Sequence, residues 1–392
     1  MNRRHFITTV SAASLAFNAR AADAEKLPVA LIGHTGRGNY GHGLDSMWAT
    51  LPMTEIVAVA DADEKGLAAQ LKKLKLTKGY ADYHQMLGEA KADIVAVGPR
   101  QIDQHRDMCM AAIAAGAKGI YIEKPFCRSL TEADEIIAAA EKSGTKIAIA
   151  HRNRYQMVVP VIDGLMKDGT IGQVLEIRAR GKEDKRGGSL DLWVLGSHVF
   201  NLIAHFAGKP VACSAVVLQD GKLVTKADVK DGDEGIGPLA GNEVHARFET
   251  ESGIPAFFDS VHDRGTKEAG FGLQIIGTKG VIDMRMDADP VAQILLGTSL
   301  GPIKTAREWQ PISTAGIGKP EPIANAGKQV MAHTIGGQDL IAAIKENRQP
   351  LCSAYDGRTT IEMISAVFES HRTGGGRVTF PLKTRENPLS LL

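Results

Sequence analysis

Tyr121-Ile122-Glu123-Lys124-Pro125-Phe126 is the stretch on which the fold is read. It follows Ala111-Ala112-Ile113-Ala114-Ala115-Gly116, which reads as a helix stopped by glycine, a residue that takes the left-handed turn at a helix end without strain. Residues 120–122 then read as a short buried strand, and an acid, an amine and a proline stand at its end. Ligands of open parallel sheets bind outside the carboxyl ends of the strands. Lys124 therefore stands where chemistry is expected, and Pro125 sets the direction in which the chain leaves. A lysine at a strand end is by itself an ordinary structural feature, so its neighbours decide the reading.

On the N-terminal side, Val29-Ala30-Leu31-Ile32 reads as a buried parallel strand feeding Gly33-His34-Thr35-Gly36-Arg37-Gly38. Glycines let a backbone approach a pyrophosphate, and a following helix offers its free amides. Against GxGxxG, Gly33 and Gly38 fit and Thr35 holds the middle position; a generic tight turn is the competing reading. A helix is expected next, then a second strand, Glu55-Ile56-Val57-Ala58-Val59-Ala60, ending in Asp61. An acid there accepts from the adenosine ribose hydroxyls, favouring NAD while leaving NADP possible; the alternative is a helix cap. Asp93–Pro99, the central strand and residues 146–150 complete strands that alternate with helices, including one from Thr131 to Lys142 whose Thr131-Glu132-Ala133-Asp134 has a capping-box shape. That alternation predicts a doubly wound parallel sheet over 27–150. Candidate cofactor contacts are Gly33, Thr35, Gly36, Arg37, Gly38, Asp61, Pro99 and Glu123.

Beyond His151-Arg152-Asn153-Arg154 the rhythm changes. Residues 174–180, 242–249, 254–262, 271–276 and 281–285 alternate as strands with one exposed face, two pairs of them as hairpins. This predicts an α+β domain over 151–392 with an open, mostly antiparallel sheet, a long surface excursion at 219–241 and a helix over 357–372 that packs back on the first domain. Residues 286–330 show no clear period. Between the sheets, Gly187 to Leu202 reads as a helix with Asp191, Leu195, His198, Leu202 and His205 on one stripe. A histidine on such a stripe is commonly a satisfied core residue, but the glycine pair before it and nearby Asp191 make it a candidate base.

Met1–Ala21 has the layout of an export leader: Arg3-Arg4, a mildly apolar run from Phe6 to Phe17, and Ala19-Arg20-Ala21 for cleavage near Ala21. The paired arginines point to the Tat route and a periplasmic or otherwise exported protein; a chance basic N-terminus is the alternative. The apolar run is shorter than the roughly 20 residues a bilayer span needs. Charges nearly cancel, 46 basic against 45 acidic in 392 residues, which gives no electrostatic case for nucleic acid or an anionic membrane as partner. Cys109, Cys127, Cys213 and Cys352 lack metal-ligand spacing, so no metal is expected, and their pairing after export stays open.

These residues together resemble the glucose–fructose oxidoreductase/inositol dehydrogenase family (Gfo/Idh/MocA), from about Leu27 to Leu392. The likeness includes Ile32-Gly33 through Gly38, the acid after the second strand, Glu123-Lys124-Pro125, Gly169-Thr170-Ile171-Gly172, Leu195-Gly196-Ser197-His198 and Phe380-Pro381-Leu382. The resemblance implies an NAD(P)-dependent oxidoreductase acting on a sugar or polyol held between a nucleotide domain and an antiparallel sheet, with subunits associating into a homo-oligomer, a dimer or tetramer. It implies that Lys124 holds the reacting hydroxyl, that the peptide before Pro125 is often cis, and that His198 is the acid/base. Two positions depart from the family's pattern: Val194 stands where an aspartate is common four residues before the histidine, and Asn201 where one is common three residues after it. Either Asp191, one turn earlier than Val194, substitutes for it, or the relay is absent. His151, Arg154, Arg180 and Trp193 are expected to line the sugar pocket. Export adds the expectation of a tightly held NAD recycled within each turnover. It also opens two other readings: a redox-neutral glycoside hydrolase, lyase or epimerase working through a transient keto-sugar, and a non-catalytic sugar-binding protein.

Overall fold

A computed structural model describes residues 26–263, 271–298, 301 and 305–392. The leader and its cleavage site fall on residues 1–25, outside the described residues. The first half is built on β1 Leu27–Ile32, β2 Thr54–Ala60, β3 Ile94–Val97, β4 Gly119–Ile122 and β5 Lys146–Ile149. Helices α1 Glu64–Leu74, α2 Tyr83–Ala90, α3 His105–Ala114 and α4 Leu130–Ser143 lie between them. The five strands pair in parallel in the order β2-β1-β3-β4-β5, the expected doubly wound sheet. Gly116 takes its left-handed turn after α3 with φ 86°.

Two local expectations are corrected. No α-helix follows the glycine loop: Gly36, Gly38, Gly41 and Gly43 all adopt positive φ, and only a 3-10 turn, Met47–Thr50, precedes β2. A helix of L-residues cannot continue through such positions. And α4 starts earlier than Thr131: Ser129 is its N-cap, accepting from the Glu132 amide, while the Glu132 carboxylate accepts from the Arg128 amide at 2.8 Å.

The second half opens with α5 Val159–Lys167, β6 Val174–Arg180 and the long helix α6, Ser189–Ala207. Next come β7 Pro210–Gln219, β8 Lys222–Leu223, β9 Lys230–Gly232, β10 Gly237–Leu239, β11 Glu243–Thr250, β12 Ala256–Val261, β13 Gly272–Gly277, β14 Gly280–Arg285, β15 Ala292–Leu296, β16 Gln310–Ser313 and β17 Gly316–Ile317. Helices α7 Ala326–Met331, α8 Thr334–Glu346 and α9 Ala354–Arg372 lead to the short β18, Val378–Thr379. The main sheet runs β17-β16-β15-β14-β13-β6-β12-β11-β7-β18 and is antiparallel except where β12 meets β6. β7 and β15–β17 had no legible signal in the sequence. One face of this sheet is covered by α6 and α9. Phe200 of α6 packs its ring 5.2 Å from Phe248 and 5.0 Å from Phe258, and Ser370 of α9 accepts from the Ala215 amide through Oγ at 2.8 Å.

Successive side chains of a strand point to opposite faces, and the first sheet shows it. Ala30 and Ile32 join the core under α2–α4, whereas Val29 and Leu31 join a second core. That second core holds Met47, Trp48 and Leu51 from the 3-10 turn region and, from far along the chain, Leu340 and Ile341 of α8. Tyr121 on β4 anchors it: its ring stands edge-on to Trp48 at 5.9 Å, and its hydroxyl lies 3.0 Å from His333 Nδ1. α9 returns to the first half, with Arg358 paired to Asp134 of α4 at 2.7 Å, and so does α8, whose return had no signal in the sequence.

Candidate active site

β4 delivers Glu123 and Lys124 to the carboxyl end of the first sheet, and Lys124-Pro125 is cis, as the resemblance implied. Glu123 is fully buried. Its Oε1 accepts from the His42 amide at 2.8 Å and lies 2.5 Å from His42 Nδ1, and its Oε2 accepts from the Lys124 amide at 2.8 Å. Burial alone would raise the Glu123 carboxyl; the His42 hydrogen bond and the Lys124 charge outweigh it and hold it well below the usual carboxylate range. His105, also fully buried, ties the turns after β3 and β4 together: Nε2 is 2.7 Å from the Pro99 carbonyl and Nδ1 3.0 Å from the Pro125 carbonyl. Pro99 thus serves as an anchor for this staple. Burial pulls the Lys124 ammonium below its usual value, with Glu123 opposing.

Lys124 Nζ donates to the Val194 carbonyl at 2.8 Å. This bond joins the two halves, and it depends on a local irregularity. Residues Leu192–Gly196 of α6 form a π turn, a feature that widens a helix and recurs at functional sites. Where the family often has an aspartate side chain, this chain presents a backbone carbonyl. The π turn also corrects the predicted stripe. One extra residue in a turn displaces the helical phase by about 100°, so Asp191 and His198 part company. Asp191 Oδ2 accepts from Ser260 Oγ at 2.6 Å and from the Glu183 amide at 3.1 Å. Gly181 passes so close that a Cβ there would lie 1.9 Å from that oxygen. His198 turns instead toward Lys124. Asp191 therefore fastens α6 to the sheet and does not orient the base.

Lys124 and His198 line one cavity of about 140 Å³, together with Arg152, Lys182, Arg186 and Asp287 among others. His198 is buried, its Nδ1 has no partner among the described residues, and burial, with the Lys124 charge adding to it, holds the imidazole well below its usual value. It is neutral near pH 7 and able to accept a proton. Of the four predicted sugar contacts, His151 comes nearest: it is fully buried with its ring edge-on to His198 at 5.2 Å, but it does not line the cavity. Arg154 is absent from the lining; Arg152, earlier in the same 3-10 turn, takes that place. Arg180 pairs with Glu183 at 2.6 Å, and Trp193 is a core residue. Sequence reading missed Arg152, Lys182, Arg186, Asp287, His42 and His333. The run His151–Arg154 carried the one usable signal, and the wrong arginine was drawn from it.

The glycine loop reaches across the ends of β1, β3 and β4. Asp61, at the end of β2, accepts from Thr35 Oγ1 at 2.7 Å and from the Thr35 and Asp63 amides, both 3.0 Å. Thr35 at the middle-glycine position is thus a tether for the loop, and Asp61 keeps only part of its accepting capacity for a ribose. A Cβ on Gly38 would lie 2.2 Å from the Arg100 amide, and Arg37 pairs with Asp103 at 2.6 Å. Beside this approach, Arg100 Nε and Asp103 Oδ1 are buried without partners among the described residues. Buried polar atoms are ordinarily satisfied, so these two orphans at the strand ends fit a polar ligand laid over the loop. Gly33, Gly36, Gly38 and Asp61 are the residues that would hold a dinucleotide there.

Residues 27–151 match the model of an oxidoreductase family with an NAD-binding Rossmann fold, and residues 167–380 match that family's C-terminal alpha/beta domain. The chain belongs to the Gfo/Idh/MocA family. Its first half is accordingly an NAD-binding domain, and the chain is an oxidoreductase. Among Gfo/Idh/MocA relatives, the D-apiose dehydrogenase of Paraburkholderia graminis is 24% identical over 345 residues, 83% of this chain and 84% of the relative. The 1,5-anhydro-D-fructose reductase of Ensifer adhaerens is 25% identical over 63% of this chain and 74% of its own. Levoglucosan dehydrogenase in complex with NADH and L-sorbose shares the fold, with TM-score 0.73, 19% identity, and coverage of 91% of this chain and 100% of that one.

Proposed function

We propose that this protein oxidises a secondary hydroxyl of a sugar, glycoside or polyol, with NAD as hydride acceptor. The observation that supports it is the meeting of Lys124, from the end of β4, with His198, from α6, in one cavity between the halves. The sugar-active names of the relatives agree with this substrate class. NAD, when bound, accepts the hydride. The chain's own residues handle the proton and the charge. Lys124 Nζ, already pointed by the Val194 carbonyl, donates to the substrate oxygen and steadies the negative charge that grows on it. Neutral His198 takes the hydroxyl proton at a ring nitrogen. Asp191 and Ser260 hold the helix that carries His198. We also propose that the leader exports the protein with its nucleotide already bound, a reading supported by Arg3-Arg4 and the apolar run after them.

The test is a panel of sugars and polyols with added NAD, following NADH and identifying products. NADH formed together with a keto-sugar is the expected result. Cleavage or epimerisation with no external acceptor would replace net oxidation by the redox-neutral route, and no turnover at all by a protein that binds NAD would sink the enzymatic reading. Denaturing the purified protein should release about one nucleotide per chain.

A further inference from the structure

The Lys124–His198 cavity is lined by more cations than a neutral carbinol needs. Arg152 opens the turn after β5, while Lys182 and Arg186 come from the loop between β6 and α6. With Lys124 they place four basic side chains on the wall, and the acid lining it with them among the described residues is Asp287. Its carboxylate lies 3.0 Å from Lys182 Nζ and 3.9 Å from Arg152 Nη2, so a carboxylate demonstrably fits between these two side chains. Two other nearby acids among the described residues are engaged outside the lining. Asp184 chelates Arg186, with Oδ2 2.5 Å from Nη2 and Oδ1 3.0 Å from Nε, and Glu123 is fully buried against His42. Glu234 adds a negative charge within electrostatic reach of Lys124 and Arg186 but is not part of the wall.

The glycine loop is not placed to account for Arg152 through the cofactor's phosphates. The glycine loop follows β1, and Arg152 follows β5, three strands away in the order β2-β1-β3-β4-β5. At about 4.8 Å per strand, that is roughly 14 Å along the sheet edge. Asp61, on the adenosine side, is further still, at the opposite edge strand. Arg152 therefore follows the edge strand beyond Lys124, on the side away from the turn after β1.

We propose that the substrate is an anionic sugar whose carboxylate or phosphate is held by Arg152, Lys182 and Arg186 while its reacting hydroxyl lies against Lys124 and His198. This rests on the carbinol-oxidation reading for the hydroxyl but not for the anion. Guanidinium and ammonium groups recognise both oxyanions, arginine through paired donors.

The experiment uses the NAD-loaded, full-length protein and matched pairs: glucuronate with glucose, galacturonate with galactose, and glucose 6-phosphate as the phosphate arm. Calorimetric titration and NADH formation are both read. The acidic member of at least one pair should bind, and show a KM, at least ten-fold more favourable than its neutral twin, with the gap narrowing as salt is raised. The arm that wins separates carboxylate from phosphate. The double change Lys182→Met with Arg186→Gln should shrink the acid-to-neutral preference at least ten-fold, acting mainly on KM, and Lys182→Arg should keep it. Both side chains are about a third exposed, so folding should survive. Neutral twins that match the acids, a preference untouched by the double change, or no binding by any member would overturn the proposal. Selective binding of acids without turnover would keep the anion site and reject oxidation; turnover of neutral sugars without preference would do the reverse.

Discussion

Lys124 and His198 reach the same cavity by different routes, and the difference is instructive. Lys124 follows a strand. Its side chain is placed by where the strand stops, and neither register nor phase has to be known beyond Ile122. His198 sits within a helix, and its direction depends on every turn before it. A π turn of five residues, Leu192–Gly196, was enough to part it from Asp191 and pair it in space with Lys124. Placement by an element's end tolerates local irregularity; placement by an element's face does not.

The largest effect should come from the strand-end partner. Lys124→Met is expected to lower kcat/KM by about 10²–10³-fold, the range for removing one donor to a developing oxyanion, with NAD affinity retained. Wild-type rates in that variant would break the pairing of strand end with helix face. Next in size is a pH effect from the helix-face side. Burial first, with other charges adding to it or opposing it, holds His151 down to about 3, His333 down to about 4, and His198 well below its usual 6.5. Folded, these rings bind fewer protons than the unfolded chain does between those values and 6.5. Stability is therefore complete above about pH 6.5 and is lost as pH falls toward 4, by on the order of a few kcal/mol. Urea midpoints measured from pH 7 to 4 check this, and a flat midpoint would contradict it.

A smaller effect separates fastening from chemistry. Asp191→Asn removes a carboxylate that accepts from Ser260 and the Glu183 amide. It should cost about 1–3 kcal/mol of stability and leave the pH profile of kcat unmoved; a shifted profile would return Asp191 to the proton relay. Smallest is Ser129→Ala, which removes the N-cap of α4 and should cost about 1 kcal/mol with no change in KM. Chemical denaturation reads both.

Legibility followed the same division. The five parallel strands and the chemistry at their ends could be read because short apolar runs stopped by glycine or proline mark strand ends directly. The hairpins at 243–261 and 272–285 could be read because turn residues and alternation agree. The absent helix after β1 did have a signal that went unused. Gly36, Gly38, Gly41 and Gly43 each cost a helix about 1 kcal/mol relative to alanine, and together they forbid one. The π turn had none, since a helix with one residue too many keeps an apolar face throughout. Lys182, Arg186 and Asp287 were invisible for another reason: they come from loops, which have no period, and only the tertiary fold gathers them.

Tyr121 and α8 carry a consequence for how this molecule is made. The face of the first sheet formed by Val29, Leu31 and Tyr121 is roofed by Leu340 and Ile341, nearly two hundred residues after β5 ends. A fragment cut at Ala150 would leave that roof behind and show a bare, greasy slab to water. On the ribosome the nucleotide half must wait, half-covered, until almost the whole polypeptide has emerged.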